Sequence, residues 1–509
     1  MKSISLFFLI FLFQNFNSQA LIIDWQKSFG GNGVEYGQSI IKTSDGGYIL
    51  AGSSSSTNIP SVITHGGRDY FLVKINSIGV IVWQKFYGGS NDEYLYDVKE
   101  TPDGGYILAG YTNSNNGEVT GSHGLADYWI VKTKQNGDIV WQKTFGGSSV
   151  DLANSVALTD DGGYIVSGYT YSNNGDITNN YGSNDYWVIK LDGLGNKVWQ
   201  KSYGGSGDEF PYSIIVSSDG NYIIAGSSTS TSGLVTGNNG NSDYWILKIN
   251  KTGDLVWQKS YGGSDLDVAN SIVQVAEGGY IIAGLSMSSN GDVTENKGLG
   301  DIWITKITES GVLEWQKSLG GTKTDNVRSI QNTLDGGYII AGYTNSNDGD
   351  VTGYHGNSDF TDFWIIKLSK IGIIEWQKAY GGNKDDVAQS IVQQLDGSYA
   401  ILGYAASIDG DITNNLGNYD YWLLKLKPEN LAIENSIYSS FSVYPNPTKE
   451  IINFPSFAKS VQIYSIDGKF LVRKENISSM NIKTLPSGNY ILKIVDSKGK
   501  YFSRKVIKN

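Results

Sequence analysis

Short apolar runs separated by glycine turns follow one another along most of the chain, and none has the 3.6-residue period of a helix. In the unit spanning residues 267–321, glycine turns follow the first and third runs, a polar loop follows the second, and the fourth carries Trp315. The runs are rich in β-branched and aromatic residues. Each unit therefore predicts a four-stranded antiparallel meander.

A motif of Trp-Gln-Lys, one variable residue, an aromatic residue or leucine, and Gly-Gly sets the repeat period. Its seven copies begin at Trp25, Trp83, Trp141, Trp199, Trp257, Trp315 and Trp376. The spacing is 58 residues five times and then 61. A fixed period of this length is typical of a copied supersecondary unit. We expect these tryptophans, and the aromatic residue four positions later, to pack neighbouring units together rather than to stack a cofactor.

The two ends of the array favour a ring over an open solenoid. The seventh unit stops after its third strand, residues 420–426, and Pro428 stands where the next turn would be. The missing strand is found at the other end, residues 21–27, with no unit before it. If the strand at residues 21–27 completed the seventh unit, no open sheet edge would remain at either end of the array. We therefore predict an all-β fold, a seven-bladed β-propeller over residues 21–427 in which the N-terminal strand closes the last blade.

Asp-Gly pairs join the first two strands in six of the units, and Glu277-Gly278 does so in the other. The aspartates are Asp45, Asp103, Asp161, Asp219, Asp335 and Asp396. Asp-Gly suits a type I′ hairpin turn, which needs positive φ at both central residues. The sequence therefore predicts type I′ turns at these positions.

The N-terminus has the pattern of a secretory signal. Lys2 precedes an apolar run, residues 4–13, and Ser18 and Ala20 occupy the small-residue positions of a cleavage site. We predict a cleaved signal peptide over residues 1–20, with a retained membrane anchor as the alternative. The run is too short to cross a bilayer comfortably, and no later segment is apolar enough, so we expect no membrane span in the mature chain.

Composition excludes several kinds of chemistry. The chain has no cysteine, which rules out disulfides and thiolate metal sites. His65, His123 and His355 share a loop register that holds Lys297 and Leu416 in other units, which argues against a metal or general-base role. The net charge of −11 argues against nucleic-acid binding. The sign of the charge changes at residues 438–509, which hold 12 Lys and Arg against 4 Asp and Glu, and this indicates a domain boundary.

A carboxylate follows each Gly-Gly at matching register, where the innermost strand of the unit begins. The seven are Glu35, Glu93, Asp151, Glu209, Asp267, Asp325 and Asp386. Four residues later, six units have serine and one has Asp97. One interpretation is a ring of negative oxygens, with Asp97, that attracts a cation or a basic partner. The other is that each carboxylate accepts backbone N–H groups of its own loop.

The long loop between the second and third strands is rich in Asn, Asp and Gly. Its recurring acidic position includes Asp176, Asp292, Asp350 and Asp411. Such oxygens could hold Ca²⁺, although the spacing differs from the EF-hand loop, and the sequence indicates no other cofactor. A polar surface loop is the alternative. A further aspartate begins each third strand, and we expect it to pin the end of the long loop. This second set is Asp69, Asp127, Asp185, Asp243, Asp301, Asp362 and Asp420.

Residues 438–509, after a predicted linker at 428–437, carry motifs in a recognisable order. These are residues 443–447 (VYPNP), 461–468 (VQIYSIDG), 485–493 (LPSGNYILK) and 505–508 (KVIK). Together they resemble the type A C-terminal sorting domain of the type IX secretion system. The resemblance implies a small β-sandwich that engages the type IX machinery and is removed after export. It also implies a Gram-negative bacterium of the Bacteroidota, with the protein secreted or attached to a surface glycolipid.

The repeats resemble the Gly-Gly-Tyr and Asp-Tyr-Trp repeats of exported proteins in such bacteria, a resemblance that implies no established activity. The sequence favours a non-enzymatic binding or adhesion protein whose long-loop face contacts extracellular glycan, protein or cation. No catalytic residue is identified. One alternative is a polysaccharide hydrolase or lyase that uses Asp97 and Asp325 as acid and base. The other is a structural surface component without a ligand.

Overall fold

The computed structural model describes residues 21–60, 62–356, 359–428, 443–465, 470–497 and 501–509. The predicted signal peptide and residues 429–437 of the predicted linker lie outside the described residues. The chain divides into two compact units, Met1–Glu429 and Asn430–Asn509. Across the described segments, the structure has no helix with the length and apolarity needed to cross a membrane.

The described part of the first unit contains 28 strands. In chain order they are β1 (Leu21–Phe29), β2 (Glu35–Lys42), β3 (Tyr48–Ser54), β4 (Asp69–Ile75), β5 (Ile81–Tyr87), β6 (Glu93–Glu100), β7 (Tyr106–Thr112), β8 (Asp127–Thr133), β9 (Ile139–Phe145), β10 (Asp151–Leu158), β11 (Tyr164–Thr170), β12 (Asp185–Leu191), β13 (Lys197–Tyr203), β14 (Glu209–Val216), β15 (Tyr222–Ser228), β16 (Asp243–Ile249), β17 (Leu255–Tyr261), β18 (Asp267–Gln274), β19 (Tyr280–Ser286), β20 (Asp301–Ile307), β21 (Leu313–Leu319), β22 (Asp325–Asn332), β23 (Tyr338–Thr344), β24 (Asp362–Leu368), β25 (Ile374–Tyr380), β26 (Asp386–Gln393), β27 (Tyr399–Ala405) and β28 (Asp420–Pro428).

These strands form seven antiparallel four-stranded sheets within the described residues. Six sheets each take four consecutive strands, from β2–β5 (sheet 1) to β22–β25 (sheet 6). Sheet 7 has the order β1-β28-β27-β26, with Leu21 opposite Pro428 and Phe29 opposite Tyr421. The prediction that the N-terminal strand completes the last repeat is therefore confirmed.

Buried side chains form a core between each sheet and the next. The third strand of most sheets carries a fully buried tryptophan, such as Trp129, preceded by a buried tyrosine. The Tyr70 hydroxyl donates to the Trp129 carbonyl of sheet 2 at 2.9 Å. Sheet 7 makes the same contact with sheet 1, because the Tyr421 hydroxyl donates to the Phe71 carbonyl at 2.9 Å. The last sheet thus packs on the first as consecutive sheets pack on each other.

The Trp-Gln-Lys strand packs against the following sheet. A Cβ added at Gly137, in the turn between β8 and β9, would lie 3.1 Å from the ring of Trp83 on β5. The Tyr87 hydroxyl, four residues after Trp83, donates to the Gly137 carbonyl at 2.6 Å. The predicted packing role of these aromatic residues is confirmed at this seam.

The Asp-Gly turns differ from the type I′ prediction, which was wrong. At the first of them only Gly46 has positive φ, +84°, and among described non-glycine residues only Asn476 lies in that region. Gly46 N–H donates to the Thr43 carbonyl at 2.9 Å, and Thr43 N–H donates to the Gly47 carbonyl at 3.0 Å, as in a three-residue hairpin with a glycine bulge. Asp45 accepts Gly47 N–H at 3.0 Å and the buried Lys74 ammonium at 2.8 Å. These bonds hold the aspartate in ordinary backbone geometry.

The second unit contains β29 (Ile451–Ser465), β30 (Phe470–Asn481), β31 (Gly488–Asp496) and β32 (Tyr501–Lys508). They form one antiparallel sheet in the order β30-β29-β31-β32. Its buried side chains include Ile463, Leu492 and Val506. The structure supports an all-β second unit, and the β-sandwich stays a prediction.

Candidate functional site

A cavity of about 450 Å³ lies where the first strands of the sheets meet. These are β2, β6, β10, β14, β18, β22 and β26, and each contacts the next, with β26 contacting β2. Each contributes one side chain from the same register, three residues after its carboxylate. These cavity residues are Gln38, Tyr96, Asn154, Tyr212, Asn270, Arg328 and Gln389. Tyr169, Phe210 and Tyr404 complete the lining.

Every one of the seven cavity residues is the extra residue of a β-bulge. In sheet 1, Gly37 pairs with Gly52 and Ser39 pairs with Ala51, so Gln38 has no partner on β3. The same break in register occurs at the equivalent position of the other six sheets. A bulge re-aims a side chain out of the regular alternation of a strand. The repeated bulge therefore turns seven side chains toward one central cavity.

The cavity residues differ although their neighbours repeat. The residue after each bulge is serine in six sheets, whereas the bulge itself carries glutamine, asparagine, tyrosine or arginine. Recurring residue types do not reveal this set, because the residue at its position varies from repeat to repeat. Variation at one fixed register, beside a repeated serine, is the signal that identifies it.

Hydrogen bonds to the next sheet fix the orientation of two cavity amides. Asn154 Nδ2 donates to the Pro211 carbonyl at 2.6 Å, and Asn270 Nδ2 donates to the Val327 carbonyl at 2.9 Å. Each of these carbonyls directly precedes the next bulge. A polar wall that is held in place before a ligand arrives binds with a smaller entropic cost.

Aromatic side chains line much of the cavity and its surroundings. Tyr169 lies edge-on to Phe210, with ring centroids 5.0 Å apart, and Tyr404 lies edge-on to Tyr36 at 4.9 Å. Burial raises the pKa of Tyr96 and of Tyr404 to about 12. These phenols are therefore neutral at physiological pH and available as hydrogen-bond donors and acceptors.

The seven carboxylates of the predicted ring are fully buried. Glu93 is typical, since its Oε2 accepts Gly89 N–H at 2.8 Å and its Oε1 accepts the Thr112 hydroxyl at 2.7 Å. Asp325 likewise accepts Gly321 N–H at 2.7 Å. This geometry favours the interpretation that the carboxylates cap their own loops. The cation ring stays a prediction, and it would require these loops to open.

Asp97, the exception among the serines, directly follows the cavity residue Tyr96. Its Oδ1 accepts Lys99 Nζ at 2.5 Å and the Ser39 hydroxyl at 3.3 Å, and its Oδ2 accepts the Ser155 hydroxyl at 3.2 Å. Asp97 thereby links sheet 1, sheet 2 and sheet 3. It is buried and does not line the cavity.

The aspartates that begin the third strands pin the long loops, as predicted. Asp69 Oδ2 accepts His65 N–H at 2.9 Å, and Asp243 Oδ2 accepts Asn239 N–H at 2.7 Å. The other oxygen, Oδ1, is buried and without a hydrogen-bond partner in all seven aspartates. This Oδ1 lies beside the carboxylate that begins the first strand of the next sheet. Asp185, for example, lies beside Glu209.

A glycine lies against each of these carboxylate pairs. A Cβ on Gly204 would lie 2.1 Å from Asp185 Oδ1 and 2.3 Å from Glu209 Oε2. Burial, followed by the nearby Glu209 carboxylate, raises the pKa of Asp185 to about 7. Burial also raises the pKa of Asp243 to about 7 and that of Asp301 to about 6. In these aspartates the protonated form is therefore favoured up to a higher pH than in an ordinary carboxyl group.

The four aspartates predicted to bind calcium occupy one register of the long loop. In each, the carboxylate accepts the N–H of the first glycine of a Gly-Gly, as Asp292 accepts Gly262 N–H at 3.2 Å. Asp176 also pairs with Lys197, Asp350 pairs with Lys297, and Asp411 lies 3.7 Å from His355. The described residues contain no group of three acidic, histidine or cysteine side chains arranged for a metal. Calcium binding stays a prediction.

Residues 442–509 match the family model of the secretion system C-terminal sorting domain. This is the type IX sorting domain, and it implies interaction with the type IX secretion machinery. The protein is therefore secreted or located on the outer cell surface of a Gram-negative bacterium. The match lies within the second unit and says nothing about the function of the first unit.

Comparisons of the chain with other known proteins give distant similarities. The chain is 25% identical over 257 residues to the regulatory protein FlaEY of Caulobacter vibrioides, covering 47% of this chain and 27% of that protein. The WD40 domain of Neurospora crassa Pan2 is similar in structure, with a TM-score of 0.45 and 10% identity over 80% of this chain and 96% of that one. The extracellular domain of the hybrid two-component system BT4673 from B. thetaiotaomicron has a TM-score of 0.41 and 12% identity over 96% of this chain and 59% of that one.

Proposed function

We propose that the first unit is a seven-bladed β-propeller that binds an extracellular glycan in its central cavity. The observation that carries the proposal is that seven bulges direct seven side chains of four different types into one space. A repeated scaffold with a non-repeated centre is what a specific ligand site requires, because a ligand without sevenfold symmetry needs unequal contacts.

The chemistry of the lining supports a sugar as the ligand. Tyrosine and phenylalanine faces pack against the C–H faces of a pyranose, whereas amides and phenols exchange hydrogen bonds with its hydroxyls. The cavity volume of about 450 Å³ falls within the usual range for small-ligand pockets, so one short stretch of a glycan would occupy it. None of the ten residues that line the cavity carries a carboxylate, which favours binding over hydrolysis.

The bulges also support the predicted use of the long-loop face. Each lies three residues after the start of its first strand, close to the Gly-Gly loop that joins it to the preceding sheet. In a meander this end of the sheet also carries the loop between the second and third strands. A glycan chain would reach the cavity from that face and pass between the loops.

The proposal for the whole chain is an exported binding or adhesion protein of a Bacteroidota species. A signal peptide over residues 1–20 would direct it across the inner membrane, and the sorting domain, folded as a small β-sandwich, would be removed after export. Release or attachment to a surface glycolipid would then follow.

A glycan array probed with the purified full chain tests the function. We expect binding to a defined subset of glycans. In Tyr212→Ala the affinity for them should fall at least about tenfold, because an aromatic contact is removed. Tyr444→Ala is the matched control, since Tyr444 is 50% exposed and belongs to the second unit, outside the proposed site. Absence of binding to any glycan, or equal losses in both variants, would overturn the proposal.

A further inference from the structure

Arg328 is the one charged side chain among the seven cavity residues. Its counterparts are Gln, Asn or Tyr in the other six sheets. Six neutral positions and one cation make the centre of the cavity asymmetric in charge. A charge placed at a single repeat of a symmetric scaffold points to a feature of the ligand rather than to the packing of the sheets.

The Arg328 guanidinium lacks the partners that such a group normally has. Its Nε is buried and has no hydrogen-bond partner. Within the described part of the chain, no carboxylate lies within 4.0 Å of the guanidinium nitrogens. A buried N–H without an acceptor is costly, and such groups in proteins are usually paired with a side chain, a water or a ligand.

Aromatic neighbours hold the guanidinium in place without neutralising it. The guanidinium carbon lies 5.6 Å from the centroid of the Tyr343 ring. Its positive charge also opposes the burial that raises the pKa of Tyr212 and of Tyr404. A guanidinium presents parallel N–H donors that match the two oxygens of a carboxylate.

We propose that the central cavity recognises an anionic saccharide, and that Arg328 binds its acidic group. This inference rests on the proposed glycan-binding function and narrows it to sugars with a carboxylate or sulfate. The acidic group would accept from the guanidinium, while the amides and phenols of the other sheets contact the ring hydroxyls. The neutral cavity residues alone would bind a neutral sugar more weakly.

Isothermal titration calorimetry tests whether the cavity prefers an acidic sugar. The full chain is titrated with tetragalacturonate and with its carboxyl-reduced, neutral counterpart. We expect the acidic sugar to bind about 10- to 100-fold more tightly, as for hydrogen bonds to a charged group, and the difference to decrease with added salt. Sulfated tetragalactoside, tested in parallel, distinguishes a sulfate from a carboxylate as the acidic group. Arg328→Gln should remove the preference, because glutamine occupies the same bulge in sheet 1 and sheet 7.

Lys251→Gln is the control for loss of one positive charge, since Lys251 is exposed in the turn between β16 and β17. It should leave the preference unchanged. Equal affinity for the acidic and neutral sugars in the unmodified protein, or an unchanged preference in Arg328→Gln, would overturn the inference. If a neutral sugar binds and Tyr212→Ala weakens it, the glycan-binding function stands and only the role of Arg328 fails. If no sugar binds at all, both fail.

Discussion

Asp185 and Glu209 face each other across Gly204, with Asp185 Oδ1 buried and without a hydrogen-bond donor. Equivalent acidic pairs occur at the other seams between sheets, including Asp243 with Asp267 beside Gly262. A shared proton is the simplest way for two buried carboxylates to coexist. The seams of the first unit are therefore sites where proton binding and folding are linked.

The first prediction concerns pH. The folded pKa of Asp185 is about 7 against an ordinary value of 3.8, so its contribution to stability is complete below pH 3.8 and is lost as the pH rises through 7. The turn aspartates act in the opposite sense at lower pH, because hydrogen bonds and Lys74 lower the pKa of Asp45 to about 2 against burial. We expect the Tm of the full chain to fall between pH 5 and pH 8.

Asp185→Asn should make that fall smaller, because an amide supplies the shared hydrogen at every pH. At pH 8 the variant should be more stable than the unmodified protein by about 1 kcal/mol, one hydrogen bond's worth. The exposed Asp265→Asn serves as the control and should leave the pH profile unchanged. Thermal unfolding across the pH range measures both, and a lower Tm for Asp185→Asn at pH 8 would contradict proton sharing.

The second prediction concerns the Gly-Gly loop. Gly204→Ala would place a methyl group 2.1 Å from Asp185 Oδ1 and 2.3 Å from Glu209 Oε2, so the carboxylate pair must separate. We expect a loss of about 1–3 kcal/mol, as for other overpacked sites. In Gly193→Ala the nearest atom is 3.0 Å away in an exposed turn, and the effect should be small. Denaturant unfolding compares the two, and equal losses would refute the role of the pair.

The third prediction concerns the seam between sheet 7 and sheet 1. Tyr421→Phe removes the hydrogen bond to the Phe71 carbonyl, and Tyr244→Phe removes its equivalent to the Trp303 carbonyl inside the array, at 2.8 Å. Both should cost about 1 kcal/mol. Chemical unfolding of the two variants checks this. No loss in Tyr421→Phe beside a clear loss in Tyr244→Phe would mean that the closing seam does not form in solution.

More of the fold than of the site could be predicted from the sequence. The period of the Trp-Gln-Lys motif and the orphan strand at residues 21–27 were sufficient to predict the four-stranded units and the pairing of β1 with β28. The turn type at Asp45 was not, because the hydrogen bond from Lys74 depends on a strand 29 residues away. A local dipeptide does not report such a contact.

The site was harder to predict from the sequence, because the residues that line it belong to no catalytic or binding motif. Glu35 and its counterparts are charged residues that recur in every repeat, which suggested a binding role. In the structure they are buried and cap their own loops. Gln38 and Asn154 are ordinary polar residues until the bulge turns them inward. A bulge is a difference in pairing between two strands, and its position follows from their register rather than from the residues of either strand alone.

The fourth prediction concerns calcium at the long loops. If Asp292 and Asp350 bind Ca²⁺, millimolar Ca²⁺ should raise the Tm relative to EDTA, and Asp292→Asn with Asp350→Asn should reduce the shift. Asp265→Asn is again the control. The same Tm with Ca²⁺ and with EDTA would contradict calcium binding, and the loops would then be stabilised only by the Gly N–H and lysine contacts described above.

The central claim is tested most directly by a crystal structure of the full chain with the glycan that binds it most tightly. The account predicts a sugar ring in the cavity, with its acidic group within hydrogen-bonding distance of Arg328 and its hydroxyls contacting side chains from at least two other bulges. A sugar bound instead on the long loops, beside residues such as Asp176, with the cavity unoccupied, would contradict it.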